Sequence, residues 1–187
     1  MAVQERQEQA GFELKPEHRE HPHREGKEQR AQLMWINHFA LLPGDQSVKT
    51  SYDAVSSGVG GGLTGLVITS TTTGEIAAGG GNKVVHMATE VPPGYVVNGV
   101  RVGYELTSSS SYISQIRLAQ VQDPPQSAIV LLDDGTDHTN TGPIDVDSAS
   151  TSIDAAAGPL LLSFRVNFGS TSDKIVVRSL GLHLTEQ

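Results

Sequence analysis

Residues 160–168 read LLLSFRVNF, and their alternation is the clearest structural signal in the sequence. The even positions hold Leu160, Leu162, Phe164, Val166 and Phe168. The odd positions between them hold Leu161, Ser163, Arg165 and Asn167. Successive side chains of a β-strand point to opposite faces, so this pattern predicts a half-buried strand. We expect Phe164 to face the core and Arg165 to face solvent.

The same period recurs on both sides of this strand. Within Val96–Leu106, apolar residues at even positions from 100 onward alternate with polar or small residues. The final apolar run, residues 174–184, changes parity near Arg178 and Ser179, which predicts a β-bulge at that point. These stretches predict two further strands with one buried face each.

Two other stretches complete the β pattern. Ala128–Leu132 is a short continuous apolar run, which favours a central strand. Leu66–Thr73 is rich in β-branched residues and also predicts a strand. Turn-forming residues separate the runs at Pro92-Pro93-Gly94, Asp123-Pro124-Pro125, Asp133-Asp134-Gly135, Gly142-Pro143 and Gly158-Pro159. The sequence therefore predicts an all-β protein, an antiparallel β-sandwich of jelly-roll or Greek-key type.

The chain divides into three parts of different composition. Residues 1–32 form a charged arm, whose first 30 residues hold seven Glu and six Lys or Arg. Such a segment buries too little apolar area to fold alone. Residues 33–82 combine an apolar anchor with a connecting region rich in Gly, Thr and Ser. Residues 83–187 form the predicted β-sandwich domain.

The apolar anchor, residues 33–42, reads LMWINHFALL and contains the only tryptophan. It fits neither the helical nor the strand period cleanly, so both structures stay open. Large apolar side chains are costly to leave in water, at about 1.5–3 kcal/mol each, so we expect burial. The charged arm in front favours burial against a neighbouring subunit. The residues expected to make that assembly contact are Trp35, Ile36, Phe39 and Leu42.

Composition restricts the partners. The net charge of −8 argues against a nucleic-acid backbone or an anionic membrane surface as the ligand. The absence of cysteine excludes disulfides, thiol catalysis and cysteine-ligated metals. Residues 1–9 lack the apolar core of a signal peptide, and no apolar run approaches the roughly 20 residues of a membrane span. Cytoplasmic synthesis is the default expectation, with the compartment left open.

No catalytic or cofactor motif meets its structural requirements. Gly60, Gly62 and Gly65 match a dinucleotide-binding spacing, but a strand-like segment follows where a helix is needed. The clustered histidines at positions 18, 21 and 23 lie in the charged arm, without a rigid environment to orient them toward a metal. Serines are too common for their proximity to a histidine to indicate catalysis. We expect a protein that is not an enzyme and binds no cofactor.

Aspartates concentrate in and after the loop that begins at residue 133. Carboxylates with main-chain carbonyls can supply the six to eight oxygens that calcium prefers. The spacing is not that of an EF-hand, and turn formation or protection of sheet edges explains the same residues. The candidate calcium ligands are Asp133, Asp134, Asp137, Asp145 and Asp147.

Two functions fit these observations. The first is a structural, self-assembling protein, whose β-sandwich packs into a homo-oligomer through the N-terminal arm. The alternative is a β-sandwich module that binds carbohydrate or another ligand, with calcium as an optional aid. Sugar recognition favours exposed aromatic faces, and this chain has only nine aromatic residues, one Trp, four Tyr and four Phe. Self-assembly is therefore the expected function.

Overall fold

The computed structural model describes residues 30–52 and 65–187, which form two antiparallel β-sheets packed face to face. The predicted all-β sandwich is confirmed. The described residues contain the strands β1 (Ala31–Trp35), β2 (Leu42–Pro43), β3 (Val48–Tyr52), β4 (Leu66–Ser70), β5 (Val84–Thr89), β6 (Tyr95–Leu106), β7 (Tyr112–Val121), β8 (Ala128–Asp134), β9 (Ile144–Asp147), β10 (Ile153–Asp154), β11 (Leu160–Asn167) and β12 (Ile175–Glu186).

The first sheet is built around the two longest strands, β6 and β12, which pair along most of their length. The other edge of β12 pairs with β1 and β4, and β3 follows β4. The other edge of β6 pairs with β9 and β10. The second sheet has the order β2-β5-β11-β7-β8. Two 3₁₀ turns, His38–Ala40 and Ala155–Ala157, complete these elements, and no described helix is long and apolar enough to cross a membrane.

The core between the sheets consists of the apolar positions that alternate along the strands. Phe164 is completely buried, whereas the side chain of Arg165 is on the opposite face of β11 and 25% exposed. The predicted orientation of this strand is therefore confirmed. The predicted bulge is confirmed as well, because the register of β12 against β6 shifts between Val177 and Ser179.

One strand prediction is wrong in its position. Ala128–Asp134 forms β8, which is an edge strand of the second sheet and not a central one. Ile129 and Val130 are 49% and 45% exposed. A continuous apolar run indicates that a strand has few polar side chains. It carries no information on how many neighbours the strand has.

The boundary predicted at residues 82 and 83 does not coincide with a break in the sheets, because β1 to β4 join the same two sheets as the later strands. Lys83 is completely buried at this boundary. Its Nζ donates to the carbonyl oxygens of Thr72, Thr73 and Gly74 at 2.6, 2.8 and 2.7 Å. Burial lowers the pKa of this ammonium. The buried lysine fastens the preceding loop to the sandwich.

Several sequence predictions concern residues outside the described part of the chain. Most of the charged arm, with its three histidines, lies in residues 1–29. Gly60 and Gly62 of the glycine-rich segment lie in residues 53–64. The arm and the connecting region therefore stay predictions.

Candidate functional site

The outer surface of the first sheet brings together the polar and aromatic groups with the most distinctive chemistry. We call it the β6–β12 face and define it by the outward residues of β1, β6, β9 and β12, which are Leu33, Trp35, Gly99, Arg101, Gly103, Asp145, Asp147, Ser179, Gly181 and His183. One row crosses four strands in register, from Trp35 through Gly181 and Arg101 to Asp147. At the spacing of neighbouring strands, this row is about 14 Å wide.

Glycines take three of the six outward positions of β6 and β12 on this face, which are Gly99, Gly103 and Gly181. A Cβ at Gly181 would come within 2.9 Å of Leu33 Cδ1 and 3.2 Å of Trp35 Cε3. A Cβ at Gly103 would collide with Ser179 Oγ and Asp145 Oδ1. The glycines therefore let the neighbouring side chains lie close to the sheet, and we call these three positions the glycine floor.

Trp35 forms the apolar border of the face. Its side chain follows the outward direction of β1, and its ring contacts the floor at Gly181. The residue is 57% exposed, although it is the only tryptophan in the sequence. An exposed indole presents a flat apolar surface, with an N–H donor at its edge.

A charged cluster forms the opposite border. Arg101 Nε and Nη2 donate to Asp147 Oδ1 and Oδ2 at 2.7 and 2.6 Å, which is a two-pronged ion pair. His183 Nε2 lies 2.7 Å from Asp147 Oδ1 and donates to the same carboxylate. The hydrogen bond from Arg101, with that from His183, lowers the pKa of Asp147 to about 2. These contacts hold three polar side chains in fixed orientations beside the glycine floor.

A cavity of about 180 Å³ lies at one end of the floor. It is lined by Gly103, Tyr104, Pro143, Ile144, Asp145, Arg178 and Ser179. Ser179 Oγ donates to Asp145 Oδ1 at 3.3 Å. Arg178 Nη2 and Nε donate to Glu105 Oε2 at 2.6 and 2.9 Å, and both side chains of this pair are more than 90% buried. The cavity thus presents the exposed carboxylate of Asp145 and the hydroxyl of Ser179. The side chain of Arg178, which also lines it, is held in place by the buried ion pair with Glu105.

The five aspartates predicted as calcium ligands are not gathered into one site. Asp133 is paired with Arg117 at 3.1 Å on the second sheet. Asp134 is buried and accepts hydrogen bonds from Thr136 and from the main-chain N–H of Ala149. Asp137 follows in the loop after β8, and Asp145 and Asp147 lie on the β6–β12 face. Among residues 30–52 and 65–187, no group of three or more His, Asp or Glu could hold a metal ion. Calcium binding at these residues remains an untested prediction.

The predicted assembly residues belong to the chain's own sandwich. β1 pairs with β12, and Ile36 donates to Leu180 O at 2.8 Å and packs against the core. Trp35 and Leu42 are 57% and 60% exposed, and Phe39 stacks edge-on against Tyr52 with ring centres 5.1 Å apart. The anchor expected to be buried throughout is therefore split, because alternate side chains of a strand point to opposite faces.

Sequence reasoning missed most of the face. The alternation along Val96–Leu106 predicts that Arg101 and Gly103 point outward, as they do, but nothing in one sequence indicates which strand lies beside them. Glycine at an outward position of an alternating strand is the one available signal, since it marks a close approach of other groups. Gly103 and Gly181 both carry that signal.

No known protein family and no curated protein sequence matches this chain. Solved structures do resemble its fold. One is the Clostridium thermocellum N-terminal endo-1,4-β-D-xylanase 10B, CBM22-1 and GH10 modules, complexed with xylohexaose. It has 9% sequence identity and a TM-score of 0.50 over 81% of this chain and 27% of that one. Another illustrates the promiscuous specificity of carbohydrate-binding modules from the β-sandwich superfamily, with 11% identity and a TM-score of 0.50 over 79% of this chain and 57% of that one. This chain therefore spans only part of each.

These neighbours contradict the predicted self-assembly function. Both of these structures of similar fold contain carbohydrate-binding modules, and the homo-oligomer that the prediction required has no support from them. The physical reason for the error lies in residues 33–42. Their apolar side chains suggested a contact with a neighbouring subunit, but Met34, Ile36 and Leu41 cover the core of their own sandwich. The predicted self-assembly function is therefore wrong.

Proposed function

We propose that this chain is a non-enzymatic carbohydrate-binding module and that its β6–β12 face holds the glycan. The observation that carries the proposal is the exposed ring of Trp35, which lies on a glycine floor opposite the Arg101–Asp147–His183 cluster. No other described surface combines an exposed tryptophan, a floor without side chains and preoriented polar groups.

The aromatic border suits a sugar because a pyranose ring has a flat, weakly polar C–H surface. Placing that surface against an indole removes apolar area from water on both sides. Weak C–H contacts to the ring add a second-order contribution. Trp35 is half-exposed before any ligand arrives, so the ring is available without rearrangement.

The polar border suits the rim of hydroxyl groups around such a ring. Each hydroxyl can donate one hydrogen bond and accept two, and neighbouring hydroxyls match planar side chains such as carboxylate and guanidinium. Arg101, Asp147 and His183 already hold one another in place. Little side-chain freedom is lost when a ligand binds, which favours affinity.

The neighbouring folds support the same function, since both structures are described as containing carbohydrate-binding modules. The contacts of the four histidines in the described part of the chain give no support to a hydrolytic alternative. His38 has a buried Nε2 with no hydrogen-bond partner among the described residues. His183 is bonded to Asp147, and His138 is buried with its Nε2 unpaired among the described residues. His86 lies on the second sheet in a row with Ser163 and Arg117. Binding without catalysis is therefore the proposed activity.

A glycan array followed by titration calorimetry tests the proposal. We expect Trp35→Ala to weaken binding by at least about 10-fold, as for aromatic residues at the centre of a binding surface. Leu42→Ala is the matched control, because Leu42 is 60% exposed but lies in the second sheet. Absence of binding to every glycan on the array, by protein with the β-type circular dichroism of the folded chain, would refute the proposal. Equal binding by the two variants would place the glycan elsewhere.

A further inference from the structure

The charges on the β6–β12 face limit the glycans that it could accept. Both guanidinium groups of the face and its cavity are already matched by carboxylates. Arg101 holds Asp147 with two hydrogen bonds of 2.7 and 2.6 Å, and Arg178 holds Glu105 with two of 2.9 and 2.6 Å. Paired in this way, each arginine has its positive charge neutralised at short range.

One carboxylate is left over beside these two pairs. Asp145 is exposed at the mouth of the cavity and accepts a hydrogen bond from the neutral hydroxyl of Ser179 at 3.3 Å. With His183 counted as neutral, Asp145, Asp147 and Glu105 give three carboxylates against the two guanidinium groups. The face is therefore electronegative, on a protein whose net charge is −8.

We infer that the ligand of this face is an uncharged glycan, an inference that rests on the proposed function. A uronate or sulfate group on the floor would face the negative charge of Asp145, which forms no ion pair among the described residues. To reach Arg101 it would have to displace Asp147, which His183 also holds. Like charges that are brought together across an interface disfavour binding and slow the approach of a polyanion. Hydroxyl groups meet no such barrier, because they donate to carboxylates.

A matched pair of ligands tests the inference on the full chain. A glycan that binds on the array is partly carboxymethylated in one sample and hydroxyethylated to the same degree in another. The two substituents are similar in size but differ in charge. We expect native affinity electrophoresis at low salt to show retardation by the hydroxyethyl glycan and a loss of retardation by the carboxymethyl glycan. High salt should narrow the difference, because it screens exposed charges.

A variant without the charge of Asp145 tests whether this residue causes the preference for the uncharged glycan. Asp145→Asn should reduce the preference for the uncharged ligand by about 2- to 5-fold, the range of a single exposed charge interaction. Asp123→Asn is the control, since it makes the same change in the loop between β7 and β8 of the second sheet. Equal retardation by both ligands, or array binding confined to acidic glycans, would overturn the inference while the proposed function stood. Failure to bind any glycan would instead count against the proposed function.

Discussion

The two outer surfaces of this sandwich differ in how their rows of side chains are filled. On the second sheet, one row crosses all five strands through Leu42, His86, Ser163, Arg117 and Asp133, and every position has a side chain. On the first sheet, the equivalent row has Gly181 between Trp35 and Arg101. Both surfaces present a two-pronged Arg–Asp pair, Arg117–Asp133 and Arg101–Asp147.

The comparison indicates that charged pairs alone do not distinguish a binding surface from an ordinary sheet surface. What distinguishes the β6–β12 face is glycine at three outward positions, next to oriented polar groups and a cavity. The glycines let the side chains of Trp35 and Asp145 lie close to the sheet. Substitutions on the two surfaces should therefore differ in their effect on glycan binding.

The largest effect should come from the core that both surfaces share. Phe164 lies completely buried between the sheets, so Phe164→Ala should destabilise the protein by about 3–5 kcal/mol through lost burial and a cavity. Arg165→Ala, on the outer side of the same strand, should cost less than about 1 kcal/mol. Urea denaturation followed by circular dichroism measures both. Equal losses would mean that the register of β11 is not the one described.

The next effect should appear when a glycine of the face is replaced by a large side chain. Gly103→Leu should displace Ser179 and Asp145 at the cavity, because its Cβ would already collide with both side chains, and should weaken glycan binding on the order of 100-fold, about 2.7 kcal/mol. Ala119→Leu enlarges a side chain on the outer surface of the second sheet, and should leave binding unchanged. Titration calorimetry compares the two variants. A stronger effect of Ala119→Leu would exchange the roles of the two surfaces.

The two Arg–Asp pairs allow the same substitution to be made on both surfaces, with a smaller expected effect on affinity. Arg101→Ala should reduce glycan affinity by about 10-fold, because it removes a donor and releases Asp147 from its fixed orientation. Arg117→Ala removes the equivalent pair from the other surface and should not change affinity. Both pairs are partly exposed, so each variant should lose less than about 1 kcal/mol of stability. Matching affinity losses would contradict the assignment of the site.

Low pH should remove the stabilisation that the ionised carboxylate of Asp147 contributes to the fold. Its pKa is depressed to about 2 in the folded protein, below the ordinary value of 3.8, so its contribution to stability is present above pH 3.8 and is lost as the pH falls toward 2. Its side chain is 45% exposed, so solvent screening limits this contribution to less than about 1 kcal/mol. The melting temperatures of the wild type and of Asp147→Asn should become equal as the pH falls from 3.8 to about 2. A constant difference in melting temperature would show that ionisation of Asp147 does not stabilise the fold.

Calcium should have the smallest effect of all. Asp133 and Asp147 are engaged with arginines, and Asp134 accepts hydrogen bonds from its own loop. We expect neither calcium nor a chelator to shift the melting temperature, because a ligand stabilises only a state that it binds. A clear rise with calcium that disappears in Asp137→Ala would establish the predicted metal site and reopen the comparison of the two surfaces.

The sequence by itself determined the class of fold and the direction of many side chains. Alternation along Val96–Leu106 and residues 160–168 is a local property of the chain, and period two assigns each residue to a face without knowledge of its neighbours. The bulge near Ser179 could be predicted for the same reason, since a change of parity is visible in one strand. Residues 33–42 marked the limit of that reasoning. Their lack of a single period reflects two short strands joined by a 3₁₀ turn.

Only the tertiary structure decided which strands lie side by side, and the candidate site depends on that. Trp35 and Asp147 are 112 positions apart in the sequence. They share one face because β12 and β6 lie between β1 and β9. The same pairing turned an apolar anchor into the border of a surface, and left β8 at an edge. Strand order follows from the packing of many distant residues at once, so no local pattern contains it.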